Sequence, residues 1–319
     1  MEEITLEAVR AAHHRIRDSV HRTPVLTSSR LNELCGASLY FKCENFQKTG
    51  SFKARGAVNA VMSLSDGQAS RGVATHSSGN HAAALAWAAG RRGVPAYVVM
   101  PRTASRIKIA SVERYGGRIT FCEPTHKARE EAADLVIRET GATMVHPYND
   151  QRIIAGQGTA ALEFLEDTPG LDLLICPVGG GGLLAGTSIV AKSLSPRIKV
   201  FGGEPEGAAD ASLSFRSGSR TPVDKPASIA DGLLALVGDL TFPIIQRHVD
   251  DIVTVSDAEI AAAMRQLMEV LKIGVEPSGS TSYAVTKDPR IRFSGQRVGI
   301  VLSGGNVDFG HLPWAKSGT

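Results

Sequence analysis

Four short segments of this sequence carry residue types that do chemistry only in company. In Val178-Gly179-Gly180-Gly181-Gly182-Leu183-Leu184-Ala185-Gly186, an apolar run leads into four glycines and then into a helical pattern. Bare backbone N–H groups at such a junction can converge on an anion such as a phosphate. Four consecutive glycines also cost conformational entropy on folding, so a purely structural turn accounts for them poorly. The loop alone does not say whose phosphate it holds. Gly180-x-Gly182-x-x-Ala185 fits a dinucleotide fingerprint as well, with Glu204 ending the next strand where a ribose-binding acid would sit.

The second segment, Ser51-Phe52-Lys53-Ala54-Arg55-Gly56, sets a lysine between an aromatic ring and small residues at the start of a helical pattern. That setting suits a lysine that forms a Schiff base, although a lone lysine is ordinarily a solvated cation and a poor nucleophile. The third, Thr75-His76-Ser77-Ser78-Gly79-Asn80-His81, follows a short apolar strand and opens an alanine-rich helix. Its hydroxyl, amide and helix-start N–H donors suit a carboxylate, and the same residues also make an ordinary N-cap. The fourth, Val301-Leu302-Ser303-Gly304-Gly305-Asn306, ends the last strand with a hydroxyl that could meet a ring nitrogen; alone it is a turn.

These segments need a scaffold that brings strand ends and helix starts together. Strand-like runs at Ala96–Met100, Arg118–Cys122, Leu171–Val178, Lys199–Gly202 and Arg297–Leu302 alternate with helical patterns at Ser105–Tyr115, His126–Glu139, Leu183–Leu194 and Ala258–Leu271. That rhythm predicts an α/β protein with parallel sheets covered by helices on both faces. Residues 216–226, rich in Ser, Pro and charge, read as a surface loop. A chain of 319 residues that is 43% hydrophobic can fill two cores, and residues 72–149 read as one compact unit.

With 21% charged residues and a net charge of +3, no strong field exists to recruit nucleic acid or an anionic membrane, so the expected partner is a small molecule. The N-terminus lacks an apolar signal segment, and no run approaches a membrane-spanning length. Four scattered cysteines without a Cys-x-x-Cys pair point to reduced thiols in the cytoplasm.

Taken in order, the Ser-Phe-Lys, Ser-Ser-Gly-Asn-His, tetraglycine and Ser-Gly-Gly-Asn segments resemble the fold type II pyridoxal-phosphate enzymes, tryptophan synthase β-like in fold. The match is to the serine racemase and serine/threonine dehydratase (ammonia-lyase) family, including 3-hydroxyaspartate dehydratases, and runs from His21-Arg22-Thr23-Pro24 to Asn306. The resemblance implies a large cofactor domain from residues 1–71 and 150–319, a small domain from 72–149, and a homodimer.

It also implies that Lys53 carries pyridoxal 5'-phosphate as a Schiff base and removes the substrate Cα proton. Phe52 packs beside the ring, Asn80 bonds its phenolic oxygen, Gly179, Gly180, Gly181 and Gly182 hold its phosphate, and Ser303 faces the pyridine nitrogen. Ser77, Asn80 and His81 bind the substrate carboxylate, and Ser78 is the opposite-face acid/base of the racemases. The implied reaction is elimination of water from serine or threonine, after which the aminoacrylate product hydrolyses to a keto acid and ammonia, with racemisation of serine at its side.

Glu204-Pro205-Glu206-Gly207-Ala208-Ala209-Asp210 is similar to the divalent-cation loop of metal-activated members, in which Glu204, the Ala208 carbonyl and Asp210 would bind Mg²⁺, Mn²⁺ or Ca²⁺. Without the resemblance it reads as an acidic surface turn. Three departures matter. Ala82-Ala83 replaces the Gly-Gln that animal racemases link to nucleotide activation, so ATP regulation is not carried over. Asp231-Gly232-Leu233-Leu234-Ala235 lacks the expected serine, which puts serine itself in doubt as the substrate. The third departure is that no regulatory domain is expected after Asn306. Positively charged or polar groups at His76, Arg129 and Tyr148 match positions near the substrate mouth, and could bind a second carboxylate, as 3-hydroxyaspartate would require. Arg129 lies beside Glu130 and Glu131, so a surface ion pair is the competing reading.

Overall fold

The computed structural model describes residues 3–77 and 79–314. Its strands are β1 (Val25–Leu26), β2 (Ser38–Cys43), β3 (Val73–His76), β4 (Ala96–Pro101), β5 (Arg118–Cys122), β6 (Thr143–Met144), β7 (Leu173–Pro177), β8 (Lys199–Pro205), β9 (Asp251–Val255) and β10 (Arg297–Leu302). They form two sheets. One has the order β1-β2-β10-β7-β8-β9, parallel throughout except for the short β1 at its edge; the other is all parallel in the order β5-β4-β3-β6.

The expected α/β alternation is present, and β5 and β10 begin and end where their apolar runs do. Burial explains the composition. All five residues of β7, Leu-Leu-Ile-Cys-Pro, are buried, as a central parallel strand covered on both faces requires. The helix Asp257–Leu271 starts at a capping box between Ser256 and Glu259, with Ile260, Ala263, Met264 and Leu267 turned to the core. Strands β1, β2, β6 and β9 lie outside the expected series. Two are only two residues long, β9 opens on Asp251, and β2 contains Lys42, a charge that looks foreign to a buried strand until its partner is seen.

That partner is Glu163 of the helix Gln151–Asp167, 2.9 Å from the Lys42 ammonium. Arg55, in the helix Lys53–Met62, bridges Glu163 and Glu44, and all four side chains are buried. The helices themselves meet through glycine. A Cβ on Gly156 would lie 2.6 Å from Gly56 Cα, and one on Gly186 would lie 2.6 Å from Gly158 N. Bare backbone there lets three helices stack closely.

The last strand is not at an edge. β10 inserts between β2 and β7, parallel to both, so the segment that follows it emerges at the centre of the six-stranded sheet.

Candidate active site

The four chemical segments meet at the carboxyl ends of the parallel strands, the edge where open α/β sheets bind ligands. Ser303 and Gly304 leave β10 and run beside the second segment: Ser51 bridges Gly304, and Phe52 N–H donates to Ser303 O at 3.0 Å. Lys53 follows as the first residue of its helix. Its side chain is half-buried, and Nζ lies 5.0 Å from the centre of the Phe52 ring and donates to Pro147 O at 2.8 Å. Among the described residues no carboxylate pairs with it, and burial lowers its pKa to about 8.

Gly179, Gly180, Gly181 and Gly182 join β7 to the helix Gly182–Leu194, and all four are buried. Among the described residues no backbone or side-chain acceptor engages their N–H groups. Buried N–H groups are nearly always paired, so four together at a helix N-terminus mark an anion site. The glycines are needed for separate reasons. Gly181 has φ 89°, and a Cβ on Gly180 would lie 2.3 Å from the Tyr148 ring. Thr241 Oγ1 donates to Gly180 O at 2.8 Å and pins the loop from behind. A pyridoxal phosphate with its phosphate on this loop and its aldehyde on Lys53 therefore fits the residues present.

Asn80 opens the helix Asn80–Arg92. Its Nδ2 donates to Glu276 Oε1 at 2.8 Å, and its Oδ1 accepts from Asn306 Nδ2 at 2.9 Å. Ser77 Oγ turns toward Gly79 N–H at 3.5 Å, a long contact that leaves it free to take another partner. Ser78 lies outside the described residues. His81 is buried, with Nε2 against Val145 O at 3.1 Å; burial first, and then the nearby Lys53 charge, hold its pKa well below the usual imidazole value. His81 Nδ1 is buried without a hydrogen-bond partner. Ser303 Oγ is buried and makes only a 3.5 Å contact to Ser278 O, so its hydroxyl remains available.

Glu276 belongs to none of the four segments, and sequence reasoning missed it. It is buried beside Asn80, and burial, then the charge of Asp231, raises its pKa to about 8. The only signal for it in the sequence is a glutamate before Pro277 at a helix start, which is too common to single out.

His146 stacks edge-on with both His76 and Tyr148, with ring centres 5.5 Å and 4.5 Å apart. Arg129, on the helix His126–Thr140, is half-buried, and its Nε is buried without a hydrogen-bond partner. Lys108, on the helix Arg106–Arg114, pairs with Asp231.

Glu204 lies near the end of β8 and is buried; its two oxygens accept from Ala211 N–H at 2.7 Å and Ser212 N–H at 2.8 Å. Asp210 is buried nearby and accepts from Val237 N–H at 2.8 Å. Burial raises the Glu204 pKa to about 8 and the Asp210 pKa to about 6, and Asp210 adds to the shift at Glu204. Ala208, also buried, lies between them in sequence. Two neighbouring buried carboxyls with oxygen lone pairs to spare fit a hard divalent cation, and they do not form the acidic surface turn of the competing reading.

The sequence matches the model of the family described as pyridoxal-phosphate dependent enzyme over residues 16–304. It is 52% identical over 311 residues to the β-hydroxyaspartate dehydratase of Paracoccus denitrificans, covering 97% of this chain and 98% of that one. It is 49% identical over 310 residues to the serine racemase of Arabidopsis thaliana, covering 96% and 94%. The structure of maize serine racemase superposes with a TM-score of 0.95 at 43% identity, covering 97% of this chain and 95% of that one. A lysine, a phosphate cradle and a family match over most of the chain thus agree, against the dinucleotide alternative, and the chain belongs to the fold type II pyridoxal-phosphate dependent enzymes.

Proposed function

We propose that this chain eliminates water from a small β-hydroxy amino acid, and that hydrolysis of the resulting aminoacrylate-type product gives a 2-keto acid and ammonia. The observation that carries the reading is a half-buried Lys53 with no carboxylate partner among the described residues, together with four buried N–H groups at residues 179–182 that no described acceptor engages. Dehydratases and racemases of β-hydroxy amino acids among the relatives support it. When bound, pyridoxal phosphate supplies an electron sink for the pair released at Cα.

The chain's own residues do the rest. Gly179, Gly180, Gly181 and Gly182 hold the phosphate, Phe52 covers the ring, and Asn80 donates to the phenolic oxygen. Ser303 offers the pyridine nitrogen a neutral hydroxyl, so the ring stays a mild sink, which suits a reaction whose β-hydroxyl leaves. Ser77 and the helix-start N–H groups, that of His81 among them, bind the substrate carboxylate, and Lys53 takes the Cα proton. Ser78 returns a proton from the other face when serine is racemised. The test is the holoenzyme with L-serine, L-threonine and the 3-hydroxyaspartate isomers: keto acid and ammonia should form in equal amounts from at least one, and none from any would overturn the reading.

A second reading is favoured by the partnerless Arg129 Nε: the substrate carries a second carboxylate. Arg129→Ala should then lose kcat/KM for 3-hydroxyaspartate selectively, by the roughly 1.5 to 3 kcal/mol of one charge-assisted contact, while L-serine is spared. Equal losses on both substrates would leave a plain serine/threonine dehydratase.

Glu204, Ala208 and Asp210 are read as a structural divalent-cation site. Mg²⁺, Mn²⁺ or Ca²⁺ added to chelator-treated protein should raise Tm, and Glu204→Gln should abolish that rise. A cation-independent Tm in the parent protein would remove the assignment. We also read the chain as a cytoplasmic homodimer; its four free cysteines support a reducing compartment, and among the described residues no helix is long and apolar enough to cross a membrane.

A further inference from the structure

Asn80 can serve the cofactor's phenolic oxygen only through the N–H edge of its amide, so something must decide which way that amide faces. Backbone groups cannot turn over, and one of them sets the polarity here. Thr49 O accepts from Asn306 Nδ2 at 2.8 Å, which fixes that end of the Asn306 amide as the donor. The same nitrogen donates to Asn80 Oδ1 at 2.9 Å, and Asn80 Nδ2 in turn donates to Glu276 Oε1 at 2.8 Å. The second hydrogen of Asn80 Nδ2 is left for a ligand.

The turn is built for this contact. Thr49 holds φ 60°, costly for a β-branched residue, and Gly50 holds φ 75° where a Cβ would lie 2.3 Å from Asn306 Oδ1. We propose that Asn306 is a positioning residue that, through the Thr49 carbonyl, holds the Asn80 amide with its N–H edge toward the cofactor. This rests on the reading of Asn80 as a cofactor ligand.

The experiment compares Asn306→Asp, Asn306→Ala and Asn80→Ala with the parent, reading the visible absorption band of the lysine-bound cofactor, the pyridoxal-phosphate Kd of the apo protein, and the apo Tm. The contacts of Asn306 lie on an exposed edge, so in Asn306→Ala water, which both donates and accepts, can take its place. The aspartate cannot donate; it draws the Asn80 NH₂ to itself and turns the carbonyl toward the cofactor. The expected result is a shifted band and a Kd raised roughly tenfold in Asn306→Asp, the factor for about one net hydrogen bond, with a smaller change in Asn306→Ala.

A residue that merely packs would show the reverse order, since the aspartate keeps its shape, and that order overturns the proposal. An unshifted band and parent-like Kd in Asn306→Asp overturn it too. If Asn80→Ala itself leaves band and Kd unchanged, the reading of Asn80 fails and the proposal falls with it. If apo Tm shows that Asn306→Asp does not fold, Asn306→Leu decides: it fills the asparagine's volume, excludes the substituting water and offers no donor, so Kd must rise above that of Asn306→Ala, and a Kd at or below it overturns the proposal.

Discussion

Lys53→Ala should give a colourless protein that neither retains pyridoxal phosphate through dialysis nor eliminates water from any β-hydroxy amino acid. No other described group is placed to replace it: Nζ sits beside the Phe52 ring, against the Pro147 carbonyl, with no carboxylate partner. The loss in kcat should reach at least about a hundredfold, the lower end of what a positioned proton-transfer group supplies. A pH signature accompanies it. Burial lowers the Lys53 pKa to about 8, so the neutral amine, the form that attacks an aldehyde, is already a minor but real fraction near neutrality. The rate at which the apo protein captures pyridoxal phosphate should therefore rise with pH and level off just above 8, not near the value of about 10.4 for a solvated lysine. A yellow, active Lys53→Ala variant would sink the assignment.

Arg55→Met should destabilise the protein by about 3 to 5 kcal/mol, the cost of leaving buried charge uncompensated. The Arg55 fork donates to Glu44 Oε2 and Oε1 at 2.7 and 2.8 Å, to Glu163 Oε1 and Oε2 at 2.8 and 2.8 Å, and to Thr159 and the His21 carbonyl at 3.2 and 3.2 Å. Methionine fills similar volume but takes from both carboxylates the cation that joins them, leaving Lys42 with Glu163. Arg55→Lys should recover only part of the loss, because one ammonium cannot span two carboxylates in fork geometry.

The pH dependence follows from Glu163. Burial opposes its ionisation, but bonds from His13 and Arg55 and the charges of Arg55 and Lys42 outweigh burial and hold its pKa below the ordinary 4.5. A depressed carboxyl contributes stability that is present above its unfolded value and lost as pH falls toward the folded one, so the parent should lose stability below about pH 4.5 more steeply than Arg55→Met. Denaturant unfolding of the apo protein checks both, and a change under about 1 kcal/mol at pH 7 would show that the network only balances its own desolvation.

Much of this could be read from residue order. Unbroken apolar runs such as β7 and the periodic helix Asp257–Leu271 declare themselves, because strand and helix periods are local properties. The tetraglycine loop is equally legible, since glycine alone suits the φ of Gly181 and the approach of Gly180 to Tyr148. The Ser-Phe-Lys segment was legible only in the company of the others, since a lysine's character depends on what surrounds its amine.

Tertiary structure decided the rest. Strand β10 enters the middle of the sheet, which carries Ser303 and Asn306 to Lys53 and Asn80 across more than two hundred residues of chain, and no local pattern records such an insertion. Glu276 and Lys42 look like ordinary charged residues in sequence; each became special through burial beside one distant partner, Asn80 or Glu163. Arg129 had two equal readings because a helix face is readable from periodicity but a guanidinium's partners are not, and the fold leaves its Nε inside without one. Local propensity and sterics write elements and loops into the sequence, whereas electrostatic partnerships arise only when the folded chain removes both groups from water.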